Sequence, residues 1–553
     1  MAHLTVPVIG LVLCFVWRLV RNFVVSSPLD KIPGPPSGSA ISGNMFQFFN
    51  PNSWKFVDDV IEIYGPVAKC HGFDGSRILH VYDPKAMHSI YVKDQDNYSR
   101  EEKMMSTFGL LLGPGLLATQ GPVHKKQRKM LNPVFSGAHM RNLTPLFYDV
   151  ANKLRTVIGS QVKNGPEDLD ILAWMGRAAL ELVGRGGLGY SFDALASESH
   201  NEFAQAVKAL KPAMNRTPIV REVARFLPYL GPAWFRRFLL RLIPIAKIQR
   251  LKVLTDALNK AAQDIYLEKK AAIEKGDADV LHSVGEGKDI MSVLLRENMK
   301  ASEEDRLPED EVLAQMGTFI LAGVDTTSNA LSRILHLLCL SPDVQGKLRA
   351  ELREAQEQYG KDIPYDQLCA LPYLDAVCRE TLRLCVAPLV FHPIAMVDTV
   401  IPLSEPLRCT DGTVITEVPV PKGTTILLNL RACNTNKALW GQDACEWKPE
   451  RWLRPLPKAV EDARIPGIYA NLYVLRILSL PQMTFISGGY SCIGFKFSQL
   501  EMKIVLATLV SNFHFELSPD KPIFWNFAGI AYPVTSHKSS KPEMYLQVSL
   551  ASG

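Results

Sequence analysis

A chain of 553 residues, 47% of them hydrophobic, is long enough to bury a large core, and it contains no internal repeat or long low-complexity stretch. Lys+Arg 61 against Asp+Glu 56 leaves a net charge of +5. That balance is too weak, with no basic cluster interleaved with aromatics, to suit a nucleic-acid partner. The ten cysteines form no C-x-x-C pair and no zinc spacing, which fits a reducing compartment and excludes a zinc module.

Leu4 to Trp17 is uncharged and mostly apolar. It falls short of the ~20 residues of a full span. Leu19, Val20 and the stem of Arg18 extend it. Arg18, Arg21 and Lys31 follow it, and no Lys or Arg precedes it, so the positive-inside rule keeps the rest of the chain cytoplasmic. The expectation is a membrane anchor over 1–25; a basic n-region and an Ala-x-Ala site, which a cleaved signal would have, are missing. Lys31-Ile32-Pro33-Gly34-Pro35-Pro36 predicts a stiff, non-helical hinge over 26–40, leaving 41–553 as the body.

Within the body the pattern is mainly α with a small β region. Helices are predicted over Gln127–Leu131, Leu146–Ile158, Ile171–Leu182, Asn201–Leu210, Leu251–Ile273, Glu309–Leu340, Val344–Gln358 and Leu371–Leu384. Short strands are predicted over Val67–His71, Arg77–Val81, Thr399–Leu403, Val414–Glu417 and Thr424–Leu428. His124 and Arg128 are four apart and share a helix face, beside the solvated cations Lys125, Lys126 and Lys129. Gly184-Arg185-Gly186-Gly187-Leu188-Gly189 fits G-x-G-x-x-G, but a helix precedes it where a dinucleotide site needs a strand, so it reads as a helix terminus and turn. Three sequons, at Asn97, Asn142 and Asn215, are expected to stay unused in the cytoplasm.

Ala322-Gly323-Val324-Asp325-Thr326-Thr327 lies inside a long apolar-periodic run. Gly323 removes a side chain, so a planar ligand could lie against the helix; the bland alternative is a small-residue packing seam. Thr326 shares a face with Ala322, and its hydroxyl can bond the carbonyl four residues back. Glu380 and Arg383 form an i, i+3 pair in apolar surroundings, which needs a further partner; Arg451 is the candidate. Tyr473 to Gln482 reads as a surface insertion or a gene-model error. Cys492 sits in Phe485-Ile486-Ser487-Gly488-Gly489-Tyr490-Ser491-Cys492-Ile493-Gly494, just before a run, Phe495 to Phe513, that reads as an amphipathic helix. A helix N-terminus favours a thiolate, and a thiolate can serve as an axial haem ligand.

That loop resembles the haem loop of the cytochromes P-450, Phe-x-x-Gly-x-Arg-x-Cys-x-Gly: Phe485, Gly488, Cys492 and Gly494 match, and Tyr490 stands where Arg is usual. The 322–327 segment, Glu380/Arg383 with Pro449-Glu450-Arg451-Trp452, and His124/Arg128 are similar to the family's other motifs, in order, over essentially the whole chain. The closing stretch after Gly494 looks most like fungal members. The resemblance implies an α-rich triangular prism around one haem b, with Cys492 as the axial iron ligand. It implies Thr326 and Asp325 as a proton relay to bound O2, His124 and Arg128 as propionate partners, and Glu380, Arg383 and Arg451 as structural charges. Pro393 also stands where an Arg is common, so Tyr490 and His392 are expected to offer neutral hydrogen bonds instead.

By position, the substrate lining should come from Met104–Leu112, the region near Met214–Leu227, Phe319 and Ala322, Ala387–Phe391 and Phe527–Ile530. These are apolar segments that suit a hydrophobic, terpenoid or lipid-like substrate. Arg216 to Pro244 mixes Arg with Phe, Trp and Leu, as a segment dipping into a membrane surface would. The implied activity is a monooxygenase of secondary metabolism on the endoplasmic reticulum membrane. With no flavin or nucleotide module, NADPH would act only through a separate cytochrome P-450 reductase, or electrons would come by cytochrome b5. Desaturation or rearrangement on the same haem, and a non-catalytic haem-binding protein, are the alternatives.

Overall fold

The computed structural model describes residues 17–551 apart from 18–19, 23, 196–209, 211–212, 215–219, 221–222, 276–286, 386–391, 464, 466–482, 528–529 and 540. The strands that matter below are β1 Val67–His71, β2 Arg77–Val81, β3 Tyr98–Ser99, β4 Ile394–Ala395, β5 Thr399–Arg408, β6 Val414–Val420 and β7 Thr425–Leu428. The helices are α1 Gly121–Leu131, α2 Gly137–Gln161, α3 Ile171–Leu182, α4 Glu309–Leu340, α5 Pro372–Leu384 and α6 Phe495–Asn512.

Helix α4 has the predicted bounds, and its sequence explains them. Glu309, Asp310 and Glu311 fill the first turn, where carboxylates offset the exposed N–H groups, and Pro342 opens the next helix just past the Ser341 cap. At 32 residues it is about 48 Å long and crosses the main hydrophobic cluster against α3 and α6. Helix α6 departs from expectation. Every residue from Leu500 to Val510 is buried, so it is not amphipathic: it runs through the core with protein on all faces.

A five-stranded sheet has the order β1-β2-β7-β4-β3, with β2 and β7 parallel and the other pairs antiparallel. Strands β5 and β6 form a separate hairpin. They outrun the predicted ends at Leu403 and Glu417 because pairing resumes beyond an irregularity between Pro402 and Leu407. A second sheet joins the start of α3 to the end of α6: Glu167–Asp170 and Phe513–Leu517 both pair with Tyr545–Leu550.

The glycine run after α3 does no phosphate work. Val183–Leu188 continues the helix as a π turn, and Gly189 caps it at φ 61°. A Cβ on Gly184 would strike the Phe192 ring at 2.4 Å, so this glycine exists for packing.

The 26–40 stretch is non-helical beyond Lys31, but it is not a free hinge. Leu29 and Ile32 are buried in the cluster beneath β1 and β2. Lys69 N donates to Pro33 O at 2.9 Å, and Asn44 Nδ2 to Pro36 O at 2.9 Å. Arg77 donates to Asn22 O at 2.6 Å, to Val25 O at 2.9 Å and to Asp30. The apolar docking of Leu29 and Ile32 overrides the proline signal. The Leu4–Trp17 run lies outside the described residues except for Trp17. Among the described residues no helix is long and apolar enough to cross a membrane. Of the predicted Asn201–Leu210 helix only Leu210 is described, and the 473–482 stretch lies wholly outside.

Candidate active site

The cysteine loop is built by backbone geometry that few residues tolerate. Gly488 has φ 71°, and a Cβ there would fall 1.9 Å from Tyr91 O, so only glycine closes this turn. Ile486 also has positive φ, 57°, a strained state for a β-branched residue, and it is held there by burial. Gln95 Oε1 accepts from Gly489 N at 2.8 Å, and Cys492 N donates to Phe485 O at 2.8 Å. These contacts set Cys492 just ahead of α6, whose N-cap is Gly494.

Desolvation pushes the Cys492 thiol above its ordinary value, while the Gly494 N–H and the Arg128 charge pull it down. The donors expected at the helix start are present, but burial outweighs them. Cys492 is nevertheless accessible to solvent, so it borders an open space inside the protein. Helix α4 borders such a space too. Between Glu311 and Cys339 only Ala322 and Thr326 are exposed, one turn apart on a helix otherwise packed away. Aromatic contacts join the two elements: Gly494 faces the edge of Phe135, whose ring meets that of Phe319 on α4 at 5.5 Å.

Thr326 Oγ1 donates to Ala322 O at 2.7 Å, and Asn329 Nδ2 donates to Asp325 O at 2.7 Å. Gly323 does not open the ligand face. A Cβ there would meet Val183 Cγ2 at 2.7 Å, so the missing side chain lets the π turn after α3 press against α4. The packing-seam reading holds for Gly323, and the accessible face belongs to Ala322 and Thr326.

His124 and Arg128 lie on one face of α1, as their spacing requires, and that face meets the cysteine loop. Arg128 donates through Nη1 to Ser491 O and through Nη2 to Ser491 Oγ at 3.3 Å. His124 is buried, and its ring lies 4.7 Å from that of Tyr490. Its Nε2 sits 3.0 Å from Arg100 Nη2, so the neutral ring accepts from the guanidinium. Desolvation, then Arg100 and Arg128, lower its pKa to about 3.

Arg100 was not singled out by sequence reasoning; a lone Arg before a short helix carries no spacing signal. Its guanidinium stacks 4.3 Å from the centre of the Tyr490 ring and donates to Leu116 O at 3.1 Å. Its Nε is buried and makes no hydrogen bond among the described residues. Arg100 and Tyr490 line one cavity with Tyr91, His392, Met105 and Phe108. His392 Nε2 is likewise buried without a partner among the described residues, while its Nδ1 is 3.5 Å from Glu101.

Glu380, Arg383 and Arg451 meet elsewhere, in a sealed cluster. Arg383 grips both oxygens of Glu380, at 2.8 and 2.7 Å, and spends its other N–H groups on the carbonyls of Asn434, Ala444 and Glu446. Arg451 Nε reaches Glu380 at 3.4 Å, and Trp452 Nε1 donates to it at 3.0 Å. Of the predicted substrate lining, Met104, Met105 and Phe108 border the cavity, whereas 387–391 and 528–529 lie outside the described residues.

Haem fits these residues. An accessible cysteine sits inside the protein, two arginines near it lack a carboxylate among the described residues, and buried donors nearby stay unsatisfied. The comparisons agree. A family model described as Cytochrome P-450 matches residues 33–534. Cytochrome P-450 monooxygenase 91 of Postia placenta is 50% identical over 531 residues, 96% of each chain. Ganoderic acid synthetase of Ganoderma lucidum is 49% identical over 536 residues, 96% of each chain. The crystal structure of a cytochrome P-450 superposes with TM-score 0.68 over 94% of this chain and 99% of that one, at 22% identity.

Proposed function

Because the chain belongs to the cytochrome P-450 family, and is a monooxygenase of that family, we propose that it inserts one atom of O2 into a hydrophobic small molecule of fungal secondary metabolism. Its electrons come from a separate NADPH-dependent reductase. The observation that carries this reading is the accessible pair Ala322 and Thr326, midway along an otherwise packed helix, joined through Phe319 and Phe135 to the loop of an accessible Cys492.

Bound haem b supplies reductive activation of dioxygen, and thiolate ligation favours cleavage of the O–O bond. Cys492 would hold the iron, and the Gly494 N–H and Arg128 favour its thiolate form against the opposing effect of burial. Thr326 keeps its hydroxyl proton on Ala322 O, which leaves its lone pairs facing the open space to accept from water. Thr326 thereby holds water in that space, and this water is the path by which protons pass from Asp325. Arg128 orients the cysteine loop through Ser491. Met104, Met105 and Phe108 exclude water and favour an apolar substrate, terpenoid or lipid-like. A relative at 49% identity is named for making an organic acid, ganoderic acid, which supports a small-molecule substrate.

The site of action is the endoplasmic reticulum membrane, with the body on the cytoplasmic side. Phe226, Tyr229, Trp234, Phe238 and Leu242 are exposed, and such a set of apolar side chains suits a bilayer surface. The decisive test pairs a reduced, carbon-monoxide-bound spectrum with reductase-driven turnover. A thiolate-type Soret band lost in Cys492→Ala, and oxidation lost in Thr326→Ala with the band kept, support the reading. No such band in folded, haem-supplied protein sinks it.

A further inference from the structure

We propose that Arg333 is a positioning residue for the substrate. It clasps two separate segments, the chain leaving α5 and the hairpin of Phe524–Phe527 with Ala531–Val534, onto the Thr326 face of α4, and so sets the walls against which a bulky apolar substrate rests. The inference rests on the haem-thiolate reading and deepens it.

Helix geometry gives the placement. Arg333 follows Thr326 on α4 by two turns, which returns it to the same face about 10 Å further along. That is the face on which Ala322 and Thr326 are accessible.

The guanidinium gathers partners from both segments. Its Nε donates to Cys385 Sγ at 3.2 Å, and Cys385 is the residue on which α5 ends. Its planar group lies over the Trp525 ring at 4.5 Å, and Trp525 sits in the first strand of the hairpin. Nη1 is 3.4 Å from His336 Nδ1, which also accepts from Trp525 Nε1 at 3.1 Å. Two donors on Nδ1 leave the ring proton on Nε2, so His336 is a neutral acceptor that joins guanidinium to indole. The His336 and Trp525 rings stack at 21°.

This cluster does not pair charge. Among the described residues Arg333 makes no ion pair, and its partners are a sulfur, an imidazole and an aromatic face. A rigid planar fork meets such partners at fixed angles, which a flexible ammonium does not. The opposite side of the hairpin is held by the N-terminal part of the body. Trp54 Nε1 donates to Trp525 O at 2.8 Å, and Phe527 N to Pro51 O at 3.0 Å. Arg333 and His336 hold the same strand from the α4 side. Two of the stretches expected by position to line the substrate, 387–391 and 528–529, lie outside the described residues, but each follows shortly after a residue that Arg333 holds. One side chain therefore sets the starting points of both.

The test uses two azoles that ligate haem iron directly. Imidazole is too small to reach the walls, whereas clotrimazole, with three phenyl groups, must rest on them. Wild type, Arg333→Gln, Trp525→Phe and the exposed-site control Lys55→Gln are titrated with each, and the Soret shift is read. Clotrimazole should bind Arg333→Gln about fivefold more weakly or worse, with imidazole unchanged within about twofold. Trp525→Phe keeps the ring but loses its donor to His336, so its clotrimazole affinity should fall between. Lys55→Gln should match wild type. An unchanged ratio of the two affinities in Arg333→Gln overturns the proposal. If that variant fails to hold haem, Trp525→Phe carries the test, and an unchanged ratio there overturns it equally. Loss of the thiolate-type band in both variants also overturns it, since the clasp would then serve stability alone. A wild type without that band sinks the haem-thiolate reading itself; a band with unchanged ratios sinks only this inference.

Discussion

Arg383 and Arg451 share the carboxylate of Glu380, whereas among the described residues Arg100 and Arg128 hydrogen-bond only to neutral groups. The first cluster is closed by the protein itself. Side-chain exposure of Glu380 and Arg383 is 0%, and five carbonyl or carboxylate oxygens saturate the Arg383 fork. The second is half-buried and borders a cavity. Buried cations persist only when paired, so the closed cluster serves stability and the open one leaves room for an anion from outside the chain. Completeness of pairing separates the two roles where residue type does not.

The hardest blow to the closed cluster is Glu380→Gln. It strands Arg383 with no counter-charge at about 3–5 kcal/mol, and denaturant melts should show little or no folded protein. Trp452→Phe removes one donor to the same carboxylate, at about 1.5–3 kcal/mol, and should lower the midpoint without unfolding the chain.

Acid separates the clusters further, because only the open one contains a histidine. His124 has its folded pKa lowered to about 3 by burial, then by Arg100 and Arg128. The unfolded chain takes up that proton near pH 6.5 and the folded one does not, so stability is present above 6.5 and is lost as pH falls toward 3. At pH 5 the loss is about 2 kcal/mol. His80 and His336, both held at about 4 by burial, add a similar background. The readout is therefore the difference in melting temperature between wild type and His124→Gln, which should narrow as pH falls. An anion bound by the arginines should reduce it. The smallest effect falls on Arg128→Gln in haem-free protein. Its bonds to Ser491 are lost while charge repulsion is relieved, and melts should shift by less than ~1 kcal/mol. A large loss there would place Arg128 with the closed cluster.

Regular elements were legible because their signals are local. Pro372 and the first-turn acids of α4 mark their own boundaries. Spacing also placed Thr326 over Ala322 and Arg128 on one face with His124, while only the family resemblance put that face near the cysteine loop. What spacing could not convey was which face a glycine serves: Gly323 is small for Val183, a partner 140 positions away in sequence. Nor could it reveal Arg100, whose meaning comes from Tyr490 and His124 arriving beside it in space. The amphipathic reading of α6 failed for a similar reason, since a helix enclosed on all sides keeps polar residues such as Glu501 and Lys503 inside the core.

Arg77 gives the N-terminal segment a mechanical role. By holding Asn22 O, Val25 O and Asp30 together, it fastens the chain to β2 before the prolines begin. A pull on the chain at Asn22 would therefore be borne by β2 at the Arg77 guanidinium, ahead of the buried Leu29 and Ile32.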